Sequence, residues 1–124
     1  MPWLNLLVIA IGAVLGAWAR WGLGLLMNST FPTVPLGTLA ANLIGAFIIG
    51  MMMALSNISP AARLLITTGF LGALTTFSTF SAETMSLLLR AQYAWALAAT
   101  AAHLGGSLAM TGLGIVCART LFGR

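Results

Sequence analysis

The stretch GALTTFSTFSAET, residues 72–84, places five hydroxyls (Thr75, Thr76, Ser78, Thr79 and Ser81) and two phenylalanines inside a run long enough to cross a membrane. Glycine and β-branched threonine lower helix propensity, and hydroxyls can satisfy backbone groups that a helix leaves open. The stretch therefore reads as a broken helix. Irregular backbone at membrane depth is tolerated only where protein buries it or where it lines a cavity. A break offers free carbonyls where its first half stops, suited to a small cation, and free N–H groups where its second half starts, suited to an anion. Phe77 and Phe80, three apart, share a helix face, and Ser78 and Ser81 share the neighbouring one. Hydroxyls and the positive edges of aromatic rings attract negative charge without carrying a formal charge themselves. Such a lining favours a small anion stripped of part of its water and holds it less tightly than an arginine would. The plainer alternative makes the two rings ordinary lipid-facing or core aromatics.

The rest of the chain fits a membrane setting. Of its 124 residues 60% are hydrophobic and 5% charged, where soluble chains carry about 25% charged residues. Residues 1–19, 21–62, 64–82 and 91–118 contain no Asp, Glu, Lys or Arg. A spanning helix needs about 20 largely apolar residues, so four spans fit and five do not. The expectation is an all-α membrane protein, residues 1–124 forming a single four-helix transmembrane domain with spans at 3–27, 36–55, 61–89 and 94–121. The connection NSTFPTVP, 28–35, is rich in turn formers, and Pro32 and Pro35 lack backbone donors. Asn57, Ser59 and Pro60 mark the second connection, with Pro60 suited to a first helical turn. The third lies near Arg90 to Tyr93.

With four spans, the termini and the middle loop share one side, which carries Arg63, Arg119 and Arg124; Arg20 and Arg90 lie on the other. Three against two is a weak bias for a rule that orients membrane proteins by basic residues. Both orientations, and with them an antiparallel homodimer, stay open. The scattered arginines form no basic patch for nucleic acid. Ala17-Trp18-Ala19 imitates a signal-peptidase site, but no positive region precedes it and the apolar run continues past it. Cys117 is the only cysteine, which excludes an intrachain disulfide and a thiolate metal site. The cluster Met51, Met52 and Met53 reads as filler.

Small residues four apart mark faces where membrane helices approach closely: Gly12 and Gly16, Ala41 and Gly45, Ala46 and Gly50, Gly105 and Ala109. Polar groups within the spans form a short list. Asn42 is either an interhelical hydrogen-bonding residue or a pore-lining donor. Arg20 can extend to the membrane interface. Glu83, the only acid, calls for a neighbouring cation, for which Arg20 is the candidate. His103, Ser107 and Thr111 follow one another at four-residue steps and form one polar stripe on the fourth helix.

The segments TTGFLGALTTFSTFSAE (67–83), PLGTLAANLIGAFIIG (35–50) and HLGGSLAMTGLG (103–114), with the pair Arg20-Trp21, resemble the Fluc (CrcB) family of fluoride channels in order and spacing across essentially the whole chain. The resemblance implies a passive, fluoride-selective channel in the bacterial inner membrane that reduces fluoride toxicity. It implies a dual-topology antiparallel homodimer with two pores, and a structural sodium ion at the dimer centre held by the carbonyls of Gly72 and Thr75. It implies a fluoride pathway along Asn42, Phe77, Phe80, Ser78, Thr79, Ser81, Ser107 and Thr111, and it matches Glu83 to the acid that follows the FSTFS run; beside it, Arg20, Glu83 and His103 are the candidates for structural or electrostatic roles. Many relatives carry two consecutive glycines where this chain has Gly72-Ala73, so a positive φ at Ala73 would strain the sodium site. No cofactor beyond sodium, no enzyme activity and no protein partner other than a second copy is implied.

Three other readings compete. A small multidrug transporter of similar length would exchange protons for cations, but it depends on a glutamate in the first helix, and the first span here has no acid. A membrane assembly subunit would carry no ions. An intramembrane hydrolase would pair Ser78 with His103, without an orienting acid.

Overall fold

The computed structural model describes residues 1–123; Arg124, one of the charges counted above, lies outside the described residues. Four helical runs are long and apolar enough to cross a membrane: Pro2–Met27, Leu36–Ala54, Pro60–Leu89 and Tyr93–Phe122. The first, second and fourth are continuous helices, α1 (Pro2–Met27), α2 (Leu36–Ala54) and α6 (Tyr93–Phe122). The third is composite. It begins with α3 (Pro60–Arg63), passes through a π-helical segment, Leu64–Leu71, then α4 (Gly72–Leu74), and resumes as α5 (Phe77–Leu89).

Local chemistry accounts for these ends. Ser59 caps α3 by accepting a 3.2 Å hydrogen bond from the Ala62 N–H, and Pro60 opens the helix where no amide is needed. After Leu74 the backbone turns extended at Thr75 (φ −86°, ψ 152°) and Thr76 (φ −150°, ψ 117°). The hydroxyl of Thr76 then caps α5 by accepting from the Thr79 N–H at 3.1 Å. Ala73 stays within α4, and Ala91 (φ 58°) is the one non-glycine with positive φ among the described residues. The strain anticipated for alanine at position 73 therefore does not arise.

Glycines set the helix approaches. A Cβ at Gly12 or Gly16 would collide with the carbonyls of Leu65 and Phe70, so α1 lies backbone to backbone on the π-helical segment. Gly50 and Gly114 do the same for α2 and α6, against the carbonyls of Thr111 and Phe47. The pair Gly105 and Ala109 differs: both residues are exposed, and nothing lies within 4 Å of a Cβ at Gly105. That face of α6 packs against no helix of the subunit. Buried Ala41, Leu71 and Leu74 form a core cluster beside the extended link and anchor the end of α4 against α2. A second cluster, Val34, Leu87, Ala96 and Ala99, joins α5 to α6.

Candidate functional site

Asn42 of α2 reaches across to the extended link and bonds both backbone groups of Thr76. Its Oδ1 accepts from the Thr76 N–H at 2.7 Å, and its Nδ2 donates to the Thr76 carbonyl at 3.1 Å. Nδ2 also lies 3.0 Å from Nδ1 of His103 on α6. The two amide hydrogens are thus both engaged within the chain, which gives Asn42 an interhelical role. Thr76 is bound at every polar atom, since its hydroxyl caps the Thr79 N–H and lies 3.2 Å from Ser78 Oγ.

This clamp has a consequence one turn earlier. In a continuous helix the Thr76 and Thr79 N–H groups would donate to the carbonyls of Gly72 and Thr75. Both protons are diverted, one to Asn42 and one to the Thr76 hydroxyl. Among the described residues no hydrogen bond reaches the Gly72 or Thr75 carbonyl. The neighbouring carbonyls are served: Leu71 accepts from the Thr75 N–H at 3.1 Å and from its hydroxyl at 2.8 Å, and Ala73 accepts from Arg20 Nε at 3.0 Å.

Two cavities flank Thr76. The first, about 490 Å³, is lined by Asn42, Phe77, Phe80, His103, Ser107 and Thr111, with Gly72, Thr75 and Thr67 at its edge. Among the described residues no Asp, Glu, Lys or Arg lines it. Phe77 and Phe80 meet edge to face, with ring centres 5.5 Å apart at 73°, and Phe80 lies 4.5 Å from the His103 ring at 32°. Phe77 is 79% exposed, so the cavity opens on the surface of the single subunit. The second cavity, about 440 Å³, is lined by Arg20, Trp21, Asn28, Thr38, Thr76 and Thr79. At its wall the Thr38 hydroxyl donates to Glu83 at 2.6 Å, and the Thr38 N–H donates to Asn28 Oδ1 at 3.2 Å.

The residues read from the sequence are thereby sorted. Asn42, Phe77, Phe80, Ser107 and Thr111 come together in the first cavity, and His103 joins them. Thr79 belongs to the second cavity, while Ser78 and Ser81 are exposed and line neither. The expected contact between Arg20 and Glu83 is replaced by two others, because Arg20 bonds the Ala73 carbonyl and Glu83 accepts from Thr38. A hydrolytic pair is also missing: the Ser78 hydroxyl lies against Thr76, and His103 Nδ1 lies against Asn42. No group of three or more His, Cys, Asp or Glu residues that could hold a metal occurs among the described residues. Sequence reasoning passed over Thr38 and the pivotal role of Thr76. The latter had a signal, a threonine three residues before another at a helix start, whereas nothing near Thr38 points to Glu83.

The family described as "CrcB-like protein, Camphor Resistance (CrcB)" matches residues 7–115. The fluoride-specific ion channel FluC of Nitrosospira multiformis is 56% identical over 120 residues, covering 94% of each chain. That of Chromobacterium violaceum is 57% identical over 117 residues, covering 91% of this chain and 93% of the relative. That of Nitrosomonas europaea is 55% identical over 117 residues, with 91% and 92% covered.

Proposed function

The chain belongs to the CrcB family, and on that premise we propose that it is a fluoride-selective ion channel through which cytoplasmic fluoride leaves passively. The observation that carries this reading is identity above one half, over nearly the full length, with fluoride-specific channels. It is a channel and not an enzyme. Hydrogen fluoride enters a cell as a neutral weak acid, dissociates in the less acidic cytoplasm and leaves the anion trapped. An inside-negative potential then favours its exit by about 2.3 kcal/mol per 100 mV. No covalent step or nucleotide is required. A proton-coupled exporter of cationic drugs is not favoured, since the first span carries no acid.

The first cavity supplies the chemistry. Its ring edges and hydroxyls attract a small anion while withholding the full charge that would hold it fast. The pathway we assign runs along Phe77, Phe80, Ser107 and Thr111, with Thr79 at the second cavity. The broken third span is the device that exposes this lining, and the extended geometry of Thr75 and Thr76 supports it. Two antiparallel copies would cover the exposed Phe77 ring, and the three-to-two division of arginines is compatible with both orientations. A structural sodium ion fits the Gly72 and Thr75 carbonyls, because hard cations take oxygen ligands and these two oxygens have no donor among the described residues. Such an ion would tie the links of two subunits together. The setting for this multi-pass protein is the bacterial inner membrane.

The test is fluoride efflux from liposomes containing only this protein, with chloride as the competing anion. Rapid fluoride release with chloride retained is expected. Dimeric protein that releases neither, or both alike, would refute the assignment.

A further inference from the structure

The hydrogen bond between Asn42 and His103 joins residues 61 positions apart, and its direction is fixed by the backbone. A backbone N–H can only donate and a carbonyl can only accept. The Thr76 N–H therefore orients the Asn42 amide with Oδ1 toward it. One Nδ2 hydrogen then serves the Thr76 carbonyl and the other faces His103. Nδ1 of the imidazole must accept, which places the ring proton of the neutral side chain on Nε2. His103 is only 4% exposed, and its ring also lies against Phe80.

We infer that His103 is a positioning residue for the anion pathway: through Nδ1 it holds the Asn42 amide in the orientation that pins Thr76 in its extended conformation. The residue acts through Asn42 on the backbone just ahead of Phe77. The inference deepens the fluoride-channel reading and rests on it.

Three substitutions separate the parts of the imidazole. His103→Phe keeps a ring against Phe80 and removes both nitrogens. In His103→Asn the side-chain oxygen falls close to where Nδ1 was, and in His103→Gln the terminal amide reaches toward the position of Nε2. Fluoride efflux from liposomes is expected to fall about tenfold in His103→Phe, the scale set by losing one buried hydrogen bond. His103→Asn is expected to recover most of that loss, and His103→Gln little of it. In an Asn42→Ala background, His103→Phe is expected to add nothing further. Efflux from His103→Phe equal to that of the unsubstituted protein would overturn the inference. So would recovery by glutamine in place of asparagine, which would assign the role to Nε2. Unsubstituted protein is measured in the same vesicles, so its failure to conduct counts against the channel reading, while an indifferent His103→Phe beside a conducting parent counts against positioning alone. Where a variant does not assemble, 15N NMR of histidine-labelled parent protein decides: a bare Nδ1 and protonated Nε2 are expected, and a protonated Nδ1 overturns the inference.

Discussion

The two cavities on either side of Thr76 are similar in size and opposite in character. One, about 490 Å³, is walled by rings, hydroxyls and a neutral imidazole; the other, about 440 Å³, holds the Arg20 side chain and borders the carboxylate that Thr38 binds. A charged wall gathers counter-ions from dilute solution, and a charge-free wall lets them move on. On the proposed channel reading, the difference puts attraction and passage in separate places, divided by a single residue whose backbone Asn42 holds.

The largest effect should come from removing that division. Asn42→Ala leaves the Thr76 N–H and carbonyl without their partner, at about 1–3 kcal/mol for each group. Thermal melting in detergent should shift down strongly and liposome efflux should fall with it; an unshifted melt would show that the clamp holds nothing. Altering the charge-free wall alone comes next. Phe80→Ile removes ring contacts worth about 1.5 kcal/mol, so efflux should fall about tenfold while size-exclusion profiles stay those of the parent. Unchanged efflux would remove the ring from the pathway. Smallest is the charged wall. Arg20→Gln keeps a donor for the Ala73 carbonyl but removes the charge, so efflux should fall only a few-fold in dilute buffer. The deficit should vanish near 1 M salt, where screening acts within about 3 Å. A deficit that persists there would place Arg20 in the pathway itself.

The membrane spans were legible because turn formers and a few charges punctuate the apolar chain. The proline-rich connection 28–35, the Asn57 to Pro60 turn and the region around Arg90 separate the runs, and the structure's spans begin and end within one residue of those expected. The polar stripe of His103, Ser107 and Thr111 was legible too, since helical periodicity alone puts four-residue steps on one face, and all three line one cavity. The partners of those residues were not. Asn42 meets Thr76 across 34 positions and Arg20 meets Ala73 across 53, and in both the acceptor is a backbone carbonyl, which every residue type carries. A side chain's chemistry can be read from its letter, but the carbonyl it finds depends on how two helices are rotated against each other. The Glu83 contact shows the same limit: charge complementarity pointed to Arg20, and packing supplied the hydroxyl of Thr38. Ser78 and Ser81 likewise lie exposed and away from both cavities, on the side of α5 that tertiary packing leaves free.

The extended link is electrically lopsided. The amide protons of Thr75 and Thr76 are both consumed, by Leu71 and by Asn42, while among the described residues nothing donates to the Thr75 carbonyl or to that of Gly72 three residues earlier. This short piece of chain is left with unpartnered carbonyl oxygens but no free amide proton of its own. On the proposed reading, these oxygens would repel an anion toward the rings of α5 and the hydroxyls of α6 and would suit a cation. Two opposite ions would then be kept apart across a single break in the third span by where a few amide protons are placed.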